Sequence, residues 1–346
     1  LPLPLAFENF YMKKILLLGV SLFALAQTYA QSAEADSKDI MDNLQQNGFE
    51  KTMDRLDASL KTYPDNYLLL KDKVMLNFLK RNFSDAITLG KPLLDRSEAD
   101  EDLYILLGNS YTSIADTKSA ERTFKKGISK FPKSALLYAN YGPVLEADGD
   151  KKEAIAVYEK GIQADPNISG NYYSLSKLYA QYDNPLWSVI YGEMFVDLES
   201  LTPRTKEIKS LLLNQYKALF TTPGTLDKYS SNGKPFEKAV ASTFAKYKSI
   251  LSGGVGTESL IALRGQFIVD WFQSENYKQF PFRLFDRERQ LLKQGNFEAY
   301  NQWLFSASNE AAYNNWTSNN PDDLKSFENY HRNVIFKPSP NEYYAH

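Results

Sequence analysis

The pattern of apolar, small and polar positions along this chain repeats at a fixed offset. Gly108 falls on Gly142, Ala120 on Ala154, Phe124 on Tyr158, Gly127 on Gly161 and Pro132 on Pro166. Such spacing predicts a recurring helix–turn–helix unit of about 34 residues. Small residues at the eighth and twentieth positions let the two helices approach closely, and large rings fill the space beside that contact. Proline near the end stops the second helix, because its ring and missing N–H cannot continue the hydrogen-bond ladder.

Residues 101–134 and 135–168 resemble the tetratricopeptide repeat (TPR) family in detail. The first carries Tyr104, Leu107-Gly108, Tyr111, Ala120, Phe124 and Pro132 at the signature positions; the second keeps Tyr138, Gly142, Ala154, Tyr158 and Pro166, with Tyr141 and Leu145 as departures. The aromatics are therefore read as core. The register fades on both sides: residues 67–100 keep Ala86, residues 33–66 keep Pro64, and residues 169–202 keep Tyr172, Leu175 and Tyr179 but place Ser188 and Gly192 at positions 20 and 24. Terminal repeats lack a neighbour on one face and depart from the pattern for that reason. The expected fold is all-α: a TPR solenoid of four to five repeats over 31–200, followed by a further helical region over 201–346.

The resemblance implies a protein- or peptide-binding scaffold, with a groove lined by set positions of each first helix. Carried onto this chain, these are Lys71, Met75 and Phe78, then Asp102, Ile105 and Asn109, then Asn140, then Tyr173 and Lys177. Mixed apolar and polar side chains there suit an extended or helical segment. Asn109 and Asn140 match asparagines of the family's carboxylate-clamping groove, but Ile105, Gly170 and Ser174 stand where its basic residues would be. Chaperone-tail binding is unsupported.

Beyond 201, helices are predicted from Thr202-Pro203 to about Phe220, from Pro235 to Leu251 and from Glu258 to Phe272, separated by Gly/Pro-rich breaks. Aromatics crowd the stretch from Phe267 to Tyr344, where Ala299-Tyr300-Asn301-Gln302-Trp303 recurs as Ala312-Tyr313-Asn314-Asn315-Trp316. Gly295-Asn296-Phe297-Glu298-Ala299 also resembles a TPR turn. Two readings of Tyr300, Trp303, Tyr313 and Trp316 stand side by side. The stronger makes them wedges in a helical core, since Tyr-x-x-Trp puts both rings on one helix face. The other makes them an exposed platform for a peptide or sugar, and with it the protein a glycan-binding accessory loosely like TPR-containing SusD-type proteins.

The segment from Met12 reads Lys13-Lys14, an apolar run from Ile15 to Ala26, then Gln27-Thr28-Tyr29-Ala30. Residues 12–30 are thus expected to be a secretory signal peptide, residues 1–11 an upstream extension outside the natural start, and the mature protein periplasmic or secreted. The run is short of the ~20 residues a membrane span needs. The Ala30-Gln31 junction and the Tyr/Asn/Lys-rich composition resemble exported proteins of Bacteroidota. The chain has no Cys, so neither disulfides nor a lipoprotein anchor are available to it.

Net charge is -2, with no basic field for nucleic acid. It divides unevenly, about -7 over 31–200 and about +4 over 201–346. Chemistry is sparse. There are two histidines, His331 and His346, and neither GxSxG nor HExxH occurs. The loop Gly253-Gly254-Val255-Gly256-Thr257 lacks the Lys-Ser/Thr of a phosphate loop. Asp270, Asp286 and Glu288 read as charged helix surface, and His331 as a capping or solvent-facing residue. The expectation is a non-catalytic protein without cofactor or metal.

Overall fold

In the computed structural model, residues 32–341 are described. The expected signal peptide and its expected cleavage junction, and Tyr343, Tyr344 and His346, lie outside them. Among the described residues there are helices and turns but no strand. The chain divides into two compact units between Gly127 and Ile128.

The first unit contains α1 (32–42), α2 (Leu44–Thr62), α3 (Tyr67–Leu79), α4 (Phe83–Gly90), α5 (Glu101–Ser113) and most of α6 (Thr117–Lys130). Successive helices from α2 to α5 pack on one another. Ala33 and Ile40 of α1 join Leu56, Leu69 and Leu76 in one core cluster. The second unit continues with α7 (Ala135–Ala147), α8 (Lys151–Ala164), α9 (Ser169–Gln181), α10 (Pro185–Leu198), α11 (Pro203–Thr221), α12 (Thr225–Asn232) and α13 (Pro235–Lys246). It closes with α14 (Thr257–Gln273), α15 (Asn276–Gln279), α16 (Arg283–Lys293), α17 (Phe297–Phe305), α18 (Glu310–Asn319) and α19 (Pro321–Asn333). The helix expected over Pro235–Leu251 ends at Lys246 and gives way to a 3-10 turn, Lys248–Gly253.

The hairpin turns carry the repeat further than the side chains do. Arg81, Ala115, Gly149 and Asp183 all have positive φ, and each stands one repeat length from the next. At each, the next residue's N–H reaches back five positions: Asn82 to Asn77, Asp116 to Tyr111, Asp150 to Leu145 and Asn184 to Tyr179, at 2.8–2.9 Å. This is the left-handed stop that satisfies the last carbonyls of one helix while Asn or Asp opens the next. The side chains of Asp116, Asp150 and Asn184 cap the following helix at Ser119, Glu153 and Trp187. The same turn recurs once outside that spacing, with Gly295 at φ +74° and Asn296 N–H bonded to Leu291 O at 2.9 Å. The hairpin α16–α17 is therefore closed by the repeat's own turn.

Within the clear repeats the packing follows the expected logic. A Cβ on Gly108 would come within 2.4 Å of the Phe124 ring, and one on Gly142 within 2.1 Å of the Tyr158 ring, both closer than contact allows. Ala120 and Ala154 are fully buried across the same contacts. In contrast α10 is buried along its whole length from Pro185 to Asp197. It packs between α9 and α11, and its side chains also reach α13, α14 and α17. Beside it the C-terminal aromatics interlock: Phe244 stacks on Phe267 at 4.1 Å, and Trp271 and Phe285 meet edge to face at 5.0 Å.

Candidate binding site

Glu193 and Asp197 sit one turn apart on α10 and so point the same way. Arg264 of α14 binds Glu193 at 2.5 Å, Glu288 of α16 at 3.3 Å and the side-chain carbonyl of Asn301 on α17. Tyr216 of α11 donates to Glu193 at 2.5 Å. One turn further on, Arg287 of α16 pairs with Asp197 at 3.1 Å, to which Tyr300 also donates at 3.3 Å. Arg264 is 1 % exposed. Glu288, expected on a surface, is buried in this network. Its helix turns Leu284, Arg287, Glu288 and Leu291 inward together, and only folding brings a guanidinium to meet it. Burial pushes the Glu288 carboxyl up to about 8 against the pull of Arg264, and raises those of Glu193 and Asp197 too.

Arg287 carries this network to a cavity of about 820 Å³ in the second unit. Its walls include Trp303, Phe327, Leu324 and His331, and its rim Leu201 and Ile335. Leu201 is 95 % exposed and Ile335 74 %, so both present bare aliphatic surface beside the opening. Arg287 donates to Val334 O and lies 3.2 Å from His331 Nδ1, holding the segment after α19 against the wall. His331 is half-buried, its ring 4.8 Å from that of Trp303, instead of capping a helix in solvent. Burial, with the cations Arg287 and Lys209 nearby, pushes its pKa down to about 4, so the imidazole is neutral at pH 7.

Two further cavities adjoin the same helices. One of about 710 Å³ is lined by the Gly253–Thr257 loop, Gln302, Trp316 and the asparagines 309, 315, 319 and 320. The other, of about 340 Å³, is lined by Thr202, Thr205, Lys206, Lys209, Tyr313 and Asn314, among others.

The four aromatics considered as a platform are not brought together on one surface. Tyr300 is 0 % exposed and belongs to the ionic network, so its face is closed to ligands. Trp303 lines the 820 Å³ cavity, Trp316 the 710 Å³ one, and Tyr313 all three. Trp316 donates to Glu298 at 2.9 Å. Among the groove positions, Met75, Phe78, Ile105 and Asn109 are half-buried and Asp102 is exposed. Lys71 pairs with Asp100. In the second unit Asn140 bonds the Leu136 carbonyl at 2.8 Å, while Tyr173 and Lys177 both engage Glu207 of α11, at 2.6 and 2.8 Å. Sequence reasoning missed Leu201, Lys209, Arg287 and Ile335. The one available signal was the apolar run Val334-Ile335-Phe336 outside any helix. Among the described residues no group of three or more side chains could hold a metal ion, and no helix is long and apolar enough to cross a membrane.

Repeated antiparallel helix pairs, closed by one recurrent turn and locked by glycine–aromatic contacts, define a helical-repeat protein. Residues 135–168 match the tetratricopeptide repeat family model. No curated protein matches the sequence. Solved structures resemble it at low identity. A tetratricopeptide repeat protein from Parabacteroides merdae is 14 % identical, with TM-score 0.44, over 80 % of this chain and 99 % of the other. A thermophilic TPR protein, TTC0263 from Thermus thermophilus, is 14 % identical, with TM-score 0.43, over 54 % and 98 %. MamA is 21 % identical, with TM-score 0.41, over 46 % and 93 %.

Proposed function

We propose that this protein is an exported, non-catalytic scaffold that binds a protein or peptide partner. The observation that carries the reading is the 820 Å³ cavity with Leu201 and Ile335 bare at its rim. An apolar pocket bordered by exposed aliphatic side chains, with polar groups around it, is the surface a partner's apolar side chain covers. The half-buried first-helix residues Met75, Phe78, Ile105 and Asn109 offer a second contact surface within the first unit, on the family's groove positions. Charge supports a protein partner over nucleic acid, since net charge is -2.

The test is selection of peptides on the mature protein, followed by titration of the selected peptide with Trp303 emission as the signal. The double variant Leu201→Asp/Ile335→Asp should weaken binding at least tenfold, about 1.4 kcal/mol, and a Trp303→Phe variant should lose the signal. Unchanged affinity in the double variant removes the cavity from the reading. Substituting Met75, Phe78 and Asn109 together then tests the groove. Export is tested by N-terminal sequencing of the expressed protein, which should begin at Gln31.

A second reading, a glycan-binding accessory protein, is favoured by the 710 Å³ cavity, where Trp316 and Tyr313 stand among four asparagines. Rings beside amides suit neutral, hydroxyl-rich ligands. Oligosaccharides should then shift tryptophan emission in the native protein but not in Trp316→Ala. No shift with any sugar ends that reading.

A further inference from the structure

Lys209 is a buried lysine without an anionic partner. It lies on α11, is 7 % exposed, and lines the 340 Å³ cavity together with Thr202, Thr205, Lys206 and Tyr313. Where the other buried cations here, Arg264 and Arg287, meet carboxylates, the Lys209 ammonium lies over the face of Trp303, 3.6 Å from the ring centroid. The carboxylate that acts on it is Asp197 of α10, and Asp197 is committed to Arg287. Other titratable groups nearby are His331 of α19, on which Lys209 acts, and Lys206, Glu310 and Tyr313 on the cavity wall. Glu310 is taken by Lys206 at 2.5 Å. A buried ammonium without a counter-charge is costly, and the group sheds its proton instead.

We propose that Lys209 is a nucleophilic amine that captures small aldehydes from the 340 Å³ cavity as a Schiff base. The Nζ lone pair attacks the carbonyl carbon and the C=O π bond opens. The nitrogen passes a proton to the new alkoxide, giving a carbinolamine. Expulsion of that oxygen as water, with a second proton from nitrogen or solvent, leaves the C=N bond. No electrons are transferred and no co-reactant beyond the aldehyde is needed. The Trp303 face shields the amine, while Tyr313 and Asn314 are polar residues on the cavity wall; the hydroxyls of Thr202 and Thr205 are bound to Glu199.

Burial pushes the Lys209 amine down to about 7. About half of it is then neutral at pH 7, against roughly 0.04 % of an ordinary lysine. Low basicity also lowers intrinsic nucleophilicity, so the selectivity expected is smaller than that ratio.

The experiment treats the mature protein at pH 7 with benzaldehyde and cyanoborohydride, which reduces the imine to a benzyl amine, and maps modified lysines by mass spectrometry. Lys209 should be modified at least ~10-fold faster than any other lysine, with a half-maximal rate near pH 7. Lys209→Arg should abolish the fast phase, and Lys217→Arg, exposed on the same helix and outside the cavity, should leave it unchanged. The wild-type map is decisive even if the Lys209 variant fails to fold. Modification spread evenly over the lysines, a fast phase on Lys206, or a rate at Lys209 still rising at pH 9 would overturn the proposal.

Discussion

The hairpin α7–α8 and the helices around Arg264 belong to one unit and are held by opposite means. In the hairpin, Gly142 admits the ring of Tyr158 and Ala154 lets the backbones close, so shape alone sets the contact. Around Arg264, four helices converge on charges: Glu193 from α10, Arg264 from α14, Glu288 from α16 and Asn301 from α17. Close packing tolerates no added volume, whereas a buried ionic network tolerates no missing member. The first arrangement can be copied along a chain, because each hairpin needs only its own glycine and ring. The second is made once, and it defines how these helices meet.

The sharpest way to break the comparison is Arg264→Met. It leaves Glu193 and Glu288 buried without their cation and should cost about 3–5 kcal/mol in urea unfolding. A loss below about 1 kcal/mol would mean the network is not the centre of this region. Gly142→Ala comes next. Although alanine favours helix, its methyl meets the Tyr158 ring, and the change should destabilise by about 1–3 kcal/mol. Adding Tyr158→Leu should recover part of the loss, and no recovery would refute the ring contact as the cause.

The pH dependence should separate the two regions further. The Glu288 carboxyl is raised to about 8 in the folded state, so its contribution is fully present below the ordinary carboxylate range and is lost as pH rises toward 8. Glu288→Gln should flatten that decline in the urea midpoint between pH 5 and 8, while Gly142→Ala should shift the midpoint equally at every pH. His331 has the opposite sign. Its pKa is lowered to about 4, so its contribution is present above about 6.5 and is lost as pH falls through 4. His331→Phe should remove that acid-side loss. The smallest effect belongs to a cap: Asp150→Ala, which removes the bond to the Glu153 N–H, should cost about 1 kcal/mol at neutral pH by thermal melting.

The repeat was legible in the sequence because its contacts are local. Gly108 and Phe124, or Gly142 and Tyr158, lie within one hairpin at the same separation, and the same residue types recur at a fixed offset. The left-handed residues at 81, 115, 149 and 183 were not legible as a series, since Arg, Ala, Gly and Asp share no chemistry. What repeats is the backbone, with Asn or Asp following each. The cavity was less legible still. Leu201 and Trp303 come from segments far from His331 and Ile335, and nothing in their spacing announces that they meet.

The residues by themselves determined that this chain is helical, that its hairpins recur at one constant offset and that glycine must face an aromatic ring in each clear repeat. These follow from side-chain volume and backbone chemistry, which act over a few turns of helix. Only the tertiary structure decided that Glu288 is buried, that His331 is neutral against Trp303, and that Lys209 has a ring where a carboxylate would be expected. Charge state depends on which groups surround a side chain and how much water they exclude, and that is fixed when distant helices pack.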